Sequence, residues 1–332
     1  MINCAIVGAT GLVGSTFLKV LEEKNLPIDN YTLFASKNSK DKKINFMNKE
    51  YIVQQLEENS FKNQKFDYAL FSAGGSVSKN YARLAAISGC IVIDNSSSFR
   101  MEKDVPLVIP EVNEEKIFEN KGIISNPNCS TIQAVILLKP LHDKYTLKRV
   151  VYTTFQAVSG AGKKGIDDLM NTLNGKKASC FPYPIYNNCI PHIDDFLENG
   201  YTKEEMKMID ETRKILNLPY LNVTATTSRA PVINCHCESI NIEFENDFDI
   251  DEVKQLLSKS EGIVVIDDIK RNIYPLNTFA DGKDEVFVGR IRRDFSIKNG
   301  INLWCTADNI RKGAATNAVQ ILEKLITKRQ EF

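Results

Sequence analysis

The feature that most constrains the fold is a set of regularly spaced glycines near the N-terminus. An apolar segment, residues 2–7, ends at Gly8, and Gly11 and Gly14 complete the pattern G-x-x-G-x-x-G. Apolar residues at helical spacing follow, so the pattern predicts a strand, a glycine turn and a helix. Glycines let the backbone approach a pyrophosphate, and a helix N-terminus offers it free N–H groups. We therefore expect a dinucleotide-phosphate site here, with an ordinary glycine-rich turn as the alternative.

The first part of the chain continues to alternate between strands and helices. Apolar runs predict a helix at residues 78–88 and four more strands, at residues 31–35, 68–72, 91–94 and 107–109. This alternation is typical of a parallel sheet covered by helices, so we expect a Rossmann-type α/β dinucleotide-binding domain over residues 1–127.

The pattern changes after residue 127, where the strands become longer. They are predicted at residues 150–157, 223–227, 232–244 and 286–292, with helices at 131–145, 203–216 and 250–260. Residues 128–309 are therefore expected to form an α+β domain with a largely antiparallel sheet. An amphipathic helix at about 310–328 is expected to pack back on the first domain.

Charge and hydropathy exclude several classes of partner. Lys plus Arg and Asp plus Glu both number 42, so the net charge is zero with the histidines neutral, and no block of like charge suggests nucleic acid or an anionic membrane. No apolar run approaches the roughly 18 residues of a membrane span. The N-terminus reads as a strand rather than a signal peptide, so we expect a cytoplasmic protein.

The end of the second predicted strand bears on the choice of coenzyme. NAD-specific domains place an acid there for the ribose 2′-hydroxyl, whereas this chain has Ser36, Lys37, Asn38, Ser39 and Lys40. Hydroxyls and lysines suit a 2′-phosphate, so we expect NADP rather than NAD. The alternative is that the two lysines only solubilise a loop.

Cys129 is the best candidate for a nucleophile among the eight cysteines. The chain has no C-x-x-C pair, which favours reduced thiols. Cys129 lies in a Pro-Asn-Cys-Ser-Thr turn at the start of a predicted helix, where the helix N-terminus favours a thiolate. Cys235 and Cys237 flank His236, but alternate side chains on a strand face opposite ways, so no metal site is expected.

A thiolate mechanism usually needs a proton acceptor, and the chain has three histidines. His142 falls near the far end of the helix that begins at Cys129, and His192 follows Pro191 in a loop and stays possible. His236, on a predicted strand after Arg229, is the best candidate, with a hydrogen-bonded structural histidine as the alternative.

With these features assembled, the sequence resembles the aspartate-semialdehyde dehydrogenase family over nearly the whole chain. The matching segments are residues 8–14, 94–100, 126–131, 155–162, 204–207, 229–232, 236 and 311–317. The family commonly has an arginine where this chain has Asn38, which puts the strength of the NADP preference in question.

The resemblance implies roles for individual residues. Cys129 would form an acyl-thioester, Gln156 would orient the substrate and His236 would be the acid/base. Substrate and phosphate would be bound by Arg229 at the carboxylate, Glu204 at the amino group, Arg100 and Lys207 at the phosphate, and Asn128. The NADP contacts would be Gly8, Thr10, Gly11, Leu12, Val13, Ser36, Asn38, Ser39, Ser159, Gly160 and Asn317.

The resemblance also implies the reaction and the assembly. The reaction is NADP-dependent reductive dephosphorylation of L-4-aspartyl phosphate to L-aspartate 4-semialdehyde, in lysine/diaminopimelate, methionine, threonine and isoleucine biosynthesis. A homodimer or a dimer of dimers is expected, built on the second domain. Two alternatives stay open: an N-acetyl-glutamyl-phosphate reductase-like enzyme, and a non-catalytic dinucleotide-binding regulatory protein.

Overall fold

The structure is a computed structural model that describes residues 1–330. The chain divides into two compact units. Residues 1–127 and the C-terminal residues from 314 onward form the first unit, and residues 128–313 form the second. Within residues 1–330, none of the helices combines the length and the apolar character that crossing a bilayer requires.

The elements are numbered along the chain. The strands are β1 Asn3–Val7, β2 Asn30–Ala35, β3 Lys43–Phe46, β4 Lys49–Ile52, β5 Gln54–Gln55, β6 Tyr68–Phe71, β7 Ile91–Asp94, β8 Ile123–Ser125, β9 Leu147–Gln156, β10 Asn222–Arg229, β11 His236–Phe244, β12 Ile263–Val265, β13 Val286–Asp294 and β14 Gly300–Ala307. The helices are α1 Leu12–Lys24, α2 Ser60–Asn63, α3 Gly75–Ile87, α4 Pro110–Asn113, α5 Cys129–Tyr145, α6 Lys163–Leu173, α7 Lys203–Ile215, α8 Ile250–Lys259, α9 Asn277–Ala280 and α10 Thr316–Gln330.

The first unit is built on a six-stranded sheet in the order β5-β2-β1-β6-β7-β8, and every neighbouring pair is parallel. Side chains of β1 alternate between two cores, with Ile6 packing beside α1 and α10 and Val7 packing beside α3. The predicted Rossmann-type class is confirmed, because both faces of a parallel sheet are covered by helices.

One predicted strand of this unit is wrong. Residues 107–109 form only an isolated bridge, in which Leu107 pairs with Ser125 of β8. Prolines bound the segment at positions 106 and 110, and Pro110 begins α4. A proline lacks the N–H that a strand ladder needs, so the pairing cannot extend.

The second unit contains a mixed sheet in the order β10-β9-β11-β14-β13-β12. The three central pairs are antiparallel and the two outer pairs are parallel, which confirms the α+β class. Helix α5 packs on β9, β11 and β14. The other face of the sheet is only partly buried. Its side chains alternate along the strands with the buried ones and include Phe155, Ser239 and Trp304.

Two predicted elements of the chain begin later than expected. The strand predicted at 232–244 starts only at His236, because Cys235 has a left-handed backbone with a φ of 69°, which lies outside the extended region of regular strands. The helix predicted at about 310–328 opens with a wide π-helical turn, Arg311–Ala315, before α10. Leu322 of α10 belongs to the same apolar core as Phe17 of α1.

Candidate active site

The glycine turn of the first unit needs its glycines for close packing. Gly8 has a φ of 88°, and a Cβ atom there would lie 2.9 Å from the carbonyl carbon of Ser72. A Cβ on Gly14 would overlap the carbonyl oxygen of Gly8. Gly11 precedes α1 and has no side chain to cap the helix. The first N–H groups of α1, those of Leu12 and Val13 among them, are therefore suited to phosphate oxygens.

The residues predicted to select the coenzyme follow β2. Lys37–Ser39 form a single 3-10 turn, and the hydroxyl of Thr10 donates a hydrogen bond to Ser39 Oγ at 3.2 Å. This contact joins the glycine turn to the end of β2. Ser36, Lys37, Asn38 and Lys40 are exposed, and Ser39 is buried.

Arg100 and Asn317 are both buried within the first unit. The Arg100 guanidinium donates to the carbonyl oxygens of Asn126 at 2.9 Å and Asn95 at 3.0 Å, just beyond β8 and β7. The Asn317 amide donates to Val108 O at 2.9 Å and to Asn126 Oδ1 at 2.7 Å. These bonds hold Arg100 at the carboxyl ends of the parallel strands, where open α/β sheets bind ligands.

In the second unit, Cys129 is the first residue of α5. The Asn128 side chain caps the helix, accepting from the backbone N–H groups of Ser130 at 3.0 Å and Thr131 at 3.3 Å. The backbone is closely packed here, since a Cβ on Gly313 would lie 2.8 Å from Cys129 Cβ. Cys129 is partly exposed. The thiol therefore lies at the positive end of a capped helix, where substrate can reach it.

The other cysteines have different surroundings. Burial raises the pKa of five thiols above its ordinary value, and these are Cys4, Cys90, Cys235, Cys237 and Cys305. Cys180 and Cys189 are exposed in the loop after α6, and burial raises the pKa of Cys180 as well. Cys129 is thus the one cysteine of the chain that begins a helix while keeping partial exposure.

His236 is fully buried at the start of β11. Its Nδ1 atom accepts a hydrogen bond from the backbone N–H of Ala157 at 3.0 Å, so the proton of the neutral ring belongs on Nε2. Among residues 1–330, Nε2 itself has no hydrogen-bond partner. Burial, and then the positive charge of Arg229, hold the pKa of His236 well below its usual value. The resting imidazole is therefore neutral and presents an unused N–H donor.

Gly160 allows Arg229 and His236 to approach each other. A Cβ on Gly160 would lie 2.6 Å from Arg229 Nη1 and 3.3 Å from His236 Nε2. Arg229 ends β10 and donates from Nη1 to the carbonyl oxygen of Ala157 at 2.7 Å, while its buried Nε has no partner in the described part of the chain. The adjacent Ser159 is buried and bonded to Asn309 at 3.0 Å. The lack of a side chain at Gly160 thus leaves room for the Arg229 guanidinium and the His236 ring on the same side of the turn.

Glu204 is the centre of a second group of contacts. Its Oε1 accepts hydrogen bonds from Asn128 Nδ2 at 2.8 Å and from Gln156 Nε2 at 3.2 Å, and its Oε2 pairs with Lys207 Nζ at 3.1 Å. Burial alone would raise the pKa of Glu204, but Lys207, Asn128 and Gln156 lower it overall. Glu204 is therefore an ionised carboxylate in the residue cluster that caps the Cys129 helix.

Most of the predicted site residues of the second unit meet in this way. Asn128, Gln156, Glu204 and Lys207 are joined by hydrogen bonds, and Arg229 and His236 meet at Gly160. Arg229 interacts electrostatically with both Glu204 and Cys129, which links the two groups.

The remaining histidines have structural explanations. His142 accepts at Nδ1 from the backbone N–H of Leu147 at 3.2 Å, where α5 ends. The His192 ring stacks on Phe196, with ring centroids 4.2 Å apart. Neither contact involves the residues around Glu204 or Gly160.

Several residues of the site were not predicted. Glu211 accepts the backbone N–H of Asn128 at 2.7 Å, and Asp194 pairs with Lys207 at 2.7 Å. Glu211 lies two helical turns after Glu204 on α7, so the i, i+7 spacing of two acids was a usable signal. Asp194 lies in a loop, where no periodicity marks it.

One group of possible metal ligands is Cys235, Asp281 and Asp308, whose ligand atoms lie within 4.8 Å of one another. The Asp308 carboxylate already accepts hydrogen bonds from backbone N–H groups of Gly282, Ile310 and Arg311. With its best-buried acid used in this way, the cluster lacks the ligand set of a metal site.

Comparisons with known proteins agree with this architecture. The family model described as the NAD binding domain of semialdehyde dehydrogenase matches residues 3–120, and the dimerisation domain of the same class matches residues 138–312. The chain is 55% identical to the aspartate-semialdehyde dehydrogenase of Aquifex aeolicus, covering 97% of each chain. It is 50% identical to that of Legionella pneumophila, covering 98% of this chain and 95% of the relative.

Solved structures give the same result. Aspartate semialdehyde dehydrogenase II from Vibrio cholerae, complexed with ASA, superposes with a TM-score of 0.94 at 48% identity, covering 98% of both chains. The Candida albicans enzyme with NADP gives a TM-score of 0.78 at 26% identity, covering 99% of both chains. Fold and site thus define a two-domain dehydrogenase of the semialdehyde dehydrogenase class. Within that class, the chain belongs to the aspartate-semialdehyde dehydrogenase family, as the sequence motifs predicted.

Proposed function

We propose that this protein reduces L-4-aspartyl phosphate to L-aspartate 4-semialdehyde with NADPH, and runs the reverse phosphorylating oxidation, through a thioester on Cys129. The observation that best supports this is the cluster around Glu204. An ionised, buried carboxylate that bonds to the cap of the cysteine helix is complementary to a substrate with a free amino group.

The remaining charges suit the other groups of that substrate. Arg229 has a buried, unused Nε and binds the α-carboxylate, because a guanidinium can donate to both of its oxygens. Lys207 binds the phosphate in the second unit. In the first unit we propose Arg100 as a phosphate-binding residue, because it is held at the carboxyl ends of the parallel strands. Gln156 bonds to Glu204 and orients the substrate.

The first chemical step forms the thioester. The Cys129 thiolate attacks the acyl carbon of aspartyl phosphate, so that a C–S bond forms. The C–O bond to phosphate then breaks, and phosphate leaves with the electron pair and takes up a proton. The N-terminus of α5, capped by Asn128, stabilises negative charge on the sulfur before the attack.

The second step releases the aldehyde. NADPH, held at the glycine turn from Gly8 to Val13, would supply the hydride that reduces the thioester carbon. His236 Nε2–H donates a hydrogen bond to the oxygen that becomes negative, because Nδ1 is occupied by the Ala157 N–H. The C–S bond then breaks and Cys129 leaves as a thiolate. In the oxidative direction His236 can act as a base at Nε2 only if Nδ1 takes the proton and the Ala157 contact breaks.

NADP is the coenzyme we assign to the first unit. The turn from Gly8 to Val13, with Thr10 and Ser39, would hold its phosphates, and Ser36 and Asn38 lie where the 2′-phosphate is expected. Ser159, Gly160 and Asn317 complete the proposed contacts. Lys37 and Lys40 are exposed beside Asn38 and supply the positive charge that an arginine gives in other family members.

The assembly we propose is a homodimer formed through the second unit. The sheet face that contains Phe155 and Trp304, whose rings lie 5.7 Å apart, has the short helix α9 beside Cys237 and is otherwise partly exposed. A second copy would cover it. We place the enzyme in the cytoplasm, where its eight cysteines stay reduced.

The experiment is an absorbance assay of NADPH formation with aspartate semialdehyde, phosphate and NADP. Activity should require phosphate and fall at least about 1,000-fold in Cys129→Ala, while Cys189→Ala, in an exposed loop, keeps full activity. N-acetyl-glutamate semialdehyde should react far more slowly, since its acetylated amine gives Glu204 no positive charge. Preference for the acetylated substrate would favour the reductase alternative, and binding of NADP without any turnover would favour the regulatory one.

A further inference from the structure

Lys207 is held by two carboxylates rather than one. Its Nζ lies 3.1 Å from Glu204 Oε2 and 2.7 Å from Asp194 Oδ2, so Asp194 is the nearer partner. Three quarters of the Lys207 side chain is removed from solvent, and the Asp194 side chain is one-third exposed. The ammonium group has three N–H donors, so two are used and one is left.

Asp194 is fixed by its own loop, independently of Lys207. Its backbone is left-handed, with a φ of 67°, and its Oδ1 accepts the N–H of Asp195 at 2.9 Å. The loop is tied to the strand that contains Arg229, because Ile190 and Arg229 exchange backbone hydrogen bonds of 2.8 and 2.9 Å. Oδ2 is therefore presented to Lys207 by a preorganised segment.

The charges alternate along this group. Asp194 is negative, Lys207 is positive and Glu204 is negative, and the amino group that Glu204 would bind is positive. Without Asp194, the flexible lysine stem would let the ammonium close onto Glu204 alone. That contact would occupy Glu204 and would leave the free N–H of Lys207 without a fixed direction.

We infer that Asp194 is a positioning residue for phosphate: it holds the Lys207 ammonium between two carboxylates, so that the third N–H meets the phosphate and Glu204 stays available to the substrate amine. This inference rests on the proposed function, because it takes Lys207 as a phosphate ligand. It assigns Asp194 no contact with the substrate.

The test compares Asp194→Asn with Asp195→Asn. Asp195 pairs with the exposed Lys203 at 2.6 Å, so the control removes the same charge from the neighbouring residue. Asp194→Asn should raise the KM for phosphate by about tenfold or more, while kcat and the KM for NADP change little. Asp195→Asn should change none of these three constants. A merely structural residue would lower kcat and all affinities together.

A double-mutant cycle with Lys207→Met completes the test. In that background Asp194→Asn should have no further effect on the KM for phosphate, because the lysine it positions is gone. If the KM for phosphate is unchanged or lower in Asp194→Asn, the inference is overturned. A lower KM would mean that the Asp194 carboxylate only repels phosphate in the parent protein.

Calorimetric titration with inorganic phosphate separates this result from the proposed function, because it needs no turnover. Affinity that falls in Asp194→Asn but not in Asp195→Asn supports the positioning role whatever reaction the protein catalyses. Equal affinities in the two variants and the parent protein overturn it, even if the parent is an active dehydrogenase.

Discussion

At the scale of single residues, Glu238 is the most unusual group in the second unit. It is fully buried on β11, between Thr154 and Cys305 of the neighbouring strands. Burial raises its pKa well above the ordinary value, and the negative charge of Glu204 adds to the effect. Ser130 and Gln133 of α5 are its polar neighbours and oppose the shift. Glu238 is therefore a neutral acid beneath the Cys129 helix.

A neutral buried acid makes stability depend on pH. Folded Glu238 keeps its proton above the pH at which the unfolded chain releases it, so the free energy of unfolding falls as pH rises, by up to about 1.4 kcal/mol per pH unit. Glu238→Gln cannot ionise, so it should gain stability relative to the parent between about pH 5 and pH 8, measured by urea unfolding. Glu243→Gln, on the partly exposed face of β11, is the control. A difference that does not vary with pH would show that Glu238 is ionised in the fold.

At the scale of elements, the long loop between α6 and α7 supports the substrate residues. Asp168 of α6 is fully buried and accepts hydrogen bonds from the Ser179 N–H at 2.6 Å, the Ser179 hydroxyl at 2.9 Å and the Phe181 N–H at 3.2 Å. The Phe181 ring then lies 5.7 Å from the Arg229 guanidinium. The loop thereby covers the residue proposed to bind the substrate carboxylate.

Asp168→Asn should release this part of the loop. An amide has one acceptor oxygen, so at least one of the three partly buried hydrogen bonds is lost, at a cost of about 1 kcal/mol. We expect faster hydrogen exchange across residues 176–190 and a KM for the semialdehyde several-fold higher, because Arg229 loses the Phe181 ring. Asp167→Asn, at an exposed position beside it, should leave both unchanged. Normal exchange and normal KM in Asp168→Asn would mean that the loop is held by other contacts.

The elements that could be predicted from the sequence are those whose signal is local. The glycine turn after β1, the helix that begins at Cys129 and the strand before Arg229 each follow from neighbouring residues. β14 was not predicted, although its buried Ile301, Leu303 and Cys305 alternate with more exposed residues. The amphipathic α6 was also missed, with Gly165 near its start.

In the candidate site, too, the residues with a local sequence signal could be predicted and the others could not. Cys129 and His236 could be proposed from a turn and a strand, and the roles of Glu204 and Arg229 needed the family resemblance. Asp194 and Asp168 could not be predicted, because their contacts depend on the path of a loop of about thirty residues that has no periodic pattern. The tautomer of His236 depends on the Ala157 N–H, which only the folded backbone brings to Nδ1.

At the scale of the whole molecule, a net charge of zero conceals a strong local contrast. In the second unit, Lys207 and Arg229 are held with Glu204 beside a helix N-terminus that presents a thiol. Elsewhere, positive and negative side chains form ion pairs at the surface, such as Lys24 with Glu323. Charged groups of both signs are thus concentrated where a substrate with an amino group, a phosphate and a carboxylate would react.

The central claim is that Cys129 forms an acyl-thioester, and a phosphate-free burst tests it most directly. With NADP and aspartate semialdehyde but no phosphate, oxidation should stop after about one NADPH per subunit, because only phosphate cleaves the thioester quickly. Mass spectrometry should then find the acyl group on Cys129, and added phosphate should remove it and restart turnover. Absence of both the burst and the Cys129 adduct, in protein that turns over when phosphate is present, would contradict the account.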